Sequence, residues 1–157
     1  MRLISHRGNI DRVEPSMENT CSYIDEAISK GYDVEVDIWN ISGVFYLGHD
    51  SPEHEVDFSW LKERSNSLWI HAKNFAALEF FMLNSKLSVF YHNVEYHTLI
   101  GNTTLFWSHN LREATSNSII PLLSEECVEQ NIELYHNKVY GICSDYVKKI
   151  RDYGCEE

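Results

Sequence analysis

Glu35 and Asp37 stand two residues apart in an otherwise apolar run, Val34-Glu35-Val36-Asp37-Ile38. In a β-strand, residues i and i+2 point to one face, so the two carboxylates project side by side. Paired carboxylates repel each other and are costly to bury, which makes a cation their natural partner. A turn at Asn40 to Gly43 and a second apolar run, Val44 to Leu47, lead to Gly48-His49-Asp50. So short a connection forces an antiparallel hairpin, which returns His49 to the level of the carboxylates. Further on, the apolar run Leu68 to Lys73 sets His71 and Lys73 on one strand face. A lysine inside such a strand suits an anionic ligand, although it could also snorkel to solvent. For Glu35 and Asp37 the plain alternative is a surface-facing strand edge; the flanking Val34, Val36 and Ile38 argue for enclosure instead.

The elements that must position these groups can be read in order. Leu3 to Ser5 is a short apolar strand that ends in His6-Arg7-Gly8, which delivers His6 and Arg7 to a loop edge. Glu18 to Lys30 carries apolar residues at Tyr23, Ile24, Ala27 and Ile28, a helical stripe, with Gly31 in the C-terminal position and Asn19 and Thr20 where caps belong. Asp57 to Arg64 reads as a short helix, and Asn74 caps the helix that follows Lys73. Three further strands, Leu87 to Tyr91, Thr104 to Trp107 and Ser118 to Leu123, come next, and two of them run into His-Asn, at His92-Asn93 and His109-Asn110. Those two histidines read more readily as strand-end polar residues than as ligand contacts. A helix at Ser124 to Glu133, a strand at Tyr140 to Ser144 ending in Asp145, and a closing helix complete the chain.

Strand–helix alternation is clear in the first half and poor in the second, and ionisable residues gather at strand C-terminal ends, where a (β/α) barrel keeps its active site. The expected fold is α/β: one domain over 1–157, an abbreviated TIM-type (β/α) barrel with helices missing in the second half. A full barrel takes about 250 residues. The bare flank suits a homodimer surface.

Composition narrows the partners. The chain has 157 residues, 43% hydrophobic and 24% charged, enough apolar material for one packed core. Its formal net charge is −11, from 13 basic and 24 acidic residues, with no basic cluster, which argues against nucleic acid. The four cysteines show no metal-ligand spacing, and no run has the length or character of a membrane span or signal segment. A cytoplasmic protein with reduced thiols is the expectation, without membrane insertion.

The ordered set His6-Arg7-Gly8, Glu18-Asn19-Thr20, Glu35-x-Asp37, His49-Asp50 and Lys73 resembles the glycerophosphodiester phosphodiesterase family, which shares its barrel with phosphatidylinositol-specific phospholipases. The resemblance spans nearly the whole chain, with its specific motifs in the first 73 residues. It implies that His6 and His49 form an acid–base pair and that Glu35 and Asp37 hold a divalent metal ion, magnesium or calcium, with manganese also allowed. It further implies that Arg7, Asn19 and Lys73 face the phosphate of a small phosphodiester substrate. Two departures stand out. The family's Glu-x-Lys reads His71-Ala72-Lys73 here, and its Pro-Glu-Asn-Thr begins with Met17. Imidazole in place of a carboxylate weakens a calcium site most, so His71 is either a third ligand for another metal or a substrate contact. Trp39 and Trp107 are the tryptophans placed to wall the pocket. The function implied is metal-dependent hydrolysis of a glycerol or sugar phosphodiester. The alternatives are a phosphate-binding module without turnover, or a lyase or transferase that stops at a cyclic phosphate.

Overall fold

The computed structural model describes residues 1–156. Ten strands occur in chain order: β1 Arg2–His6, β2 Asp33–Ile41, β3 Val44–Leu47, β4 His54–Val56, β5 Leu68–Ala72, β6 Ser88–Phe90, β7 His97–Leu99, β8 Phe106–Ser108, β9 Ser118–Pro121 and β10 Gly141–Ser144. Five α-helices accompany them: α1 Cys21–Ser29, α2 Phe58–Glu63, α3 Phe75–Asn84, α4 Glu125–Tyr135 and α5 Val147–Glu156. All ten strands join one mixed sheet in which β2 also pairs with β5, and β5 with β6. The pairings β6-β5-β2-β1-β10-β9-β8 are all parallel. The sheet curls, so that Val89 of β6 makes an antiparallel bridge to Gly101, just after β7.

The class is therefore mixed α/β with a curled half-barrel sheet; a complete ring of alternating strands and helices is not formed. The seven parallel strands fall where apolar runs are expected. Between β6 and β9 the only helical turn is the 3-10 segment Leu111–Glu113, but α4 and α5 restore alternation afterwards. On this bare flank Leu99 and Phe106 sit opposite each other across the β7–β8 ladder, 59% and 42% exposed. Among the described residues, no helix is long and apolar enough to cross a membrane. All four cysteines are free thiols.

The two faces of β2 explain the layout. Val34, Val36 and Ile38 are fully buried against Ile24 and Ala27 of α1 and Ala77 and Phe81 of α3. Each large aliphatic side chain so buried contributes roughly 1.5–3 kcal/mol. The opposite face turns Glu35 and Asp37 into the curl, above a second cluster that includes Ile4, Trp69, Phe90, Trp107 and Ile119. A slip of one residue would exchange these faces, so register is strongly specified. The observed register sets His6 beside Glu35, and Asp37 beside His71.

Two glycines are required by geometry. Gly48 has φ +145°, and a Cβ there would collide with the Ser51 carbonyl. Gly8 has φ +98°, and a Cβ would lie 2.6 Å from Tyr23 Cδ1. Gly8→Ala is therefore expected to cost about 1–3 kcal/mol, from the left-handed backbone and the displaced ring. Urea denaturation checks this; an unchanged midpoint would show that the turn can relax.

Candidate active site

The site lies where β1, β2 and β5 end and the loop after β3 returns. Asp37 is its centre, fully buried and ringed by side-chain nitrogen atoms. Asn19 Nδ2 donates to Asp37 Oδ2 at 3.0 Å, while Asn19 Oδ1 accepts from the Asp37 backbone N–H at 3.1 Å. Arg7 Nε lies 3.0 Å and His49 Nδ1 3.2 Å from the same Oδ2. On the other oxygen, His71 Nδ1 is 2.9 Å and Lys73 Nζ 3.5 Å from Oδ1. Burial opposes ionisation of Asp37, but its contacts with His49, His71 and Arg7 outweigh it and hold the carboxyl well below its ordinary pKa. Glu35 goes the other way: burial, with the neighbouring Asp37 charge, raises it.

Asn19, expected as a cap and, by the resemblance, as a phosphate contact, engages Asp37 with both ends of its amide. Thr20 takes the N-cap position of α1 with no side-chain capping bond, and Asn19 instead ties the chain before α1 to β2. Arg7 and Asn19 both sit in the left-handed region, at φ +54° and +56°. Such conformations in non-glycine residues cost of the order of 1–3 kcal/mol and persist where the surroundings over-determine them. Here the Arg7 N–H donates to the Glu35 carbonyl and the Asn19 N–H to the Arg7 carbonyl.

His6 is held by a network that runs through the C-terminal end of β10. Its Nδ1 is 2.8 Å from Asp145 Oδ1. Asn9, fully buried, donates to that same oxygen at 2.7 Å and to Glu18 Oε1 at 2.8 Å; Glu18 Oε2 in turn accepts from Arg7 at 3.1 Å. Burial lowers the His6 pKa, but the Asp145 hydrogen bond and the charges of Glu35 and Asp145 outweigh it, so the net direction is upward. Asn9 and Glu18 are positioning residues that sequence reasoning assigned no role. The available signals were a polar residue directly after the His-Arg-Gly turn and the glutamate of Glu-Asn-Thr.

The third wall reuses an i, i+2 spacing twice. Phe90 and Trp107 stack at 4.3 Å between ring centroids, and His92 and His109, two residues beyond each, stack at 4.0 Å. Burial and the nearby imidazoles lower both pKa values, that of His109 to about 4. A cavity of about 130 Å³ is lined by His6, Arg7, Glu35, His49, His71 and, opposite, Phe90, His92, Trp107 and His109, with Pro121 and Leu123. Drug-sized ligand sites are typically ~300–1,000 Å³, so this one takes a single small group with the remainder of a ligand outside. Trp39 does not line it; its indole N–H donates to the Gly48 carbonyl at 2.8 Å and so braces the loop that carries His49. Lys73 is also outside the lining but lies 3.3 Å from His49 Nδ1.

Glu35, Asp37 and His71 each offer a ligand atom within 4.8 Å of the others. His71 supplies the test of fit. Its Nε2 faces the His92 carbonyl at 3.3 Å, and a carbonyl only accepts, so Nε2 carries the proton of the neutral ring. Nδ1 is then a lone pair directed at Asp37 Oδ1 and, 3.6 Å away, Glu35 Oε1. Glu35 Oε2 is buried with no hydrogen-bond partner. Acceptors that converge in this way call for a cation or for a proton on His71. The donor set fits a divalent ion.

No protein-family model, curated protein or solved structure matches this chain.

Proposed function

We propose that the protein is a metal-dependent phosphodiester hydrolase built on an abbreviated (β/α) barrel, acting on a small glycerol or sugar phosphodiester. The observation that carries this reading is a pair of histidines in one cavity, each with a carboxylate at Nδ1: His6 with Asp145, and His49 with Asp37. In this reading Glu35, Asp37 and His71 would hold magnesium, manganese or calcium, which would neutralise the non-bridging oxygens of the diester.

The residues divide the remaining work. Asp145 is an acceptor, so neutral His6 carries its proton on Nδ1 and leaves Nε2 as general base toward a nucleophilic hydroxyl. His49 Nδ1 lies 2.6 Å from Arg7 and 3.3 Å from Lys73, both of which only donate, so without substrate this nitrogen is an acceptor. An incoming phosphate competes for the two cations. Once they turn to it, His49 Nδ1 is free to take a proton from solvent and donate to Asp37 Oδ2; the resulting imidazolium gives its Nε2 proton to the departing alkoxide and returns to the neutral ring. Arg7 and Lys73 then stabilise the charge that builds on the phosphoryl oxygens.

The test is hydrolysis of glycerophosphodiesters and of bis(p-nitrophenyl) phosphate with added magnesium, calcium or manganese. Expected are metal-stimulated turnover, its loss in EDTA, and its loss in His49→Ala. Activity that survives both EDTA and His49→Ala excludes the mechanism, and phosphorus NMR of the product separates hydrolysis from arrest at a cyclic phosphate.

A further inference from the structure

Two sequence repeats converge on one place. Phe90-Tyr91-His92-Asn93 and Trp107-Ser108-His109-Asn110 both set a large aromatic residue two positions before a histidine. In an extended chain both members of each pair face the same way. The result is a ladder of two storeys on the wall formed by the ends of β6 and β8. Phe90 and Trp107 stack below, 2% and 4% exposed, and His92 and His109 stack above at the cavity rim, with an interplanar angle of 20°.

The cavity is thereby divided. Arg7, His49 and the carboxylates occupy one side, while on the opposite wall His92 and His109 are the only polar side chains among residues that are otherwise aromatic, aliphatic or proline. Neither histidine belongs to the cluster of metal-ligating atoms formed by Glu35, Asp37 and His71. His92 Nδ1 is buried without a hydrogen-bond partner and lies 4.0 Å from Glu95 Oε2, so the pair's polar function toward a ligand falls to the remaining ring nitrogens. A neutral imidazole offers one donor and one acceptor, as a hydroxyl group does. Two rings in van der Waals contact offer these functions side by side, a spacing suited to hydroxyls on adjacent carbons.

We infer that the stacked His92–His109 pair recognises vicinal hydroxyl groups of the alcohol esterified to the phosphate, so that the protein selects polyol phosphates over simple alkyl phosphates. The inference rests on the reading of the cavity as a phosphate-ester site. It assigns the two walls different tasks: the cationic side anchors phosphate and the imidazole rim reads the alcohol. A cavity with room for only one small group leaves the alcohol at that rim.

Binding measurements test this without requiring turnover. The full chain is titrated calorimetrically with glycerol 3-phosphate and with methyl phosphate, which has the same charged group and no hydroxyls. The parent is expected to prefer the glycerol ester by about tenfold, the scale of one or two hydrogen bonds. The His92→Phe, His109→Phe double variant keeps a stacked aromatic pair and is expected to bind both esters equally. His109→Phe alone, at the exposed rim, is expected to lose part of the preference and guards against misfolding of the double variant. No preference in the parent, or a preference retained in both variants, overturns the inference. A parent that prefers the polyol ester but cleaves no diester overturns the hydrolase reading and leaves this one standing.

Discussion

Replacement of His6 by alanine is expected to lower diester turnover by about 10²–10⁴-fold, the usual contribution of a placed general base. The fold should tolerate the change, because Asp145 keeps its hydrogen bond from Asn9 and the residues of β1 beneath His6 remain buried. Thermal melting within a few degrees of the parent, together with the lost rate on bis(p-nitrophenyl) phosphate, separates a chemical role from a structural one. The pH profile adds a signature. His6 must be neutral to act as base, and despite its burial the Asp145 hydrogen bond and the charges of Glu35 and Asp145 raise its pKa above the ordinary 6.5. The rate is therefore expected to climb with pH through a limb set by deprotonation of His6. Asp145→Asn removes the charge that raises His6, so that limb should move to lower pH. Full activity in His6→Ala would defeat the assignment outright.

Asp37→Ala is expected to have the largest effect on stability. The substitution leaves Lys73 and two imidazoles facing a void, with Arg7 keeping Glu18 as its remaining ion-pair partner. Breaking a buried ion pair from one side typically costs about 3–5 kcal/mol. Two features temper that figure. The Arg7 and Lys73 side chains keep 17% and 15% exposure, so water can reach them in part. Glu35 is also relieved of a like charge, one of the causes that raise its pKa. A loss near 3 kcal/mol is accordingly expected from urea denaturation, read as a lower midpoint at unchanged slope. The pH dependence has a definite sign. Asp37 is held well below the ordinary carboxylate pKa, so its contribution is fully present above that ordinary value and disappears as pH falls through the depressed one. The difference in stability between parent and variant should shrink toward zero in that acid range. A variant as stable as the parent at neutral pH would mean that the charges around Asp37 are already balanced by solvent.

Much of this site was legible in the chain because strand periodicity is local. Glu35 and Asp37 share a face by their spacing alone, and so do His71 and Lys73. The short turn at Asn40 to Gly43 dictates an antiparallel return, and the return brings His49 to Asp37 as expected. Apolar runs located all seven parallel strands, since each carries buried apolar residues. Strands β4 and β7 escaped notice, because both are largely exposed and neither contains an apolar run. The His-Asn repeat was visible, but a histidine at a strand end reads as an ordinary polar residue until its neighbour across the sheet is known.

What the sequence determined by itself is which residues share a face: the carboxylate pair, the His71–Lys73 pair and the two aromatic-x-His steps, all consequences of a two-residue period. Only the tertiary structure decided which faces meet. Asp145 reaches His6 across 139 residues because β10 closes against β1, and Asn9 lies between them. His92 stacks on His109 because β6 and β8 approach on one side of the curl, and Trp39 turns to brace Gly48 rather than wall the cavity. Strand spacing depends on a few consecutive dihedral angles, whereas these contacts depend on the curl of the whole sheet, which no local run of residues encodes.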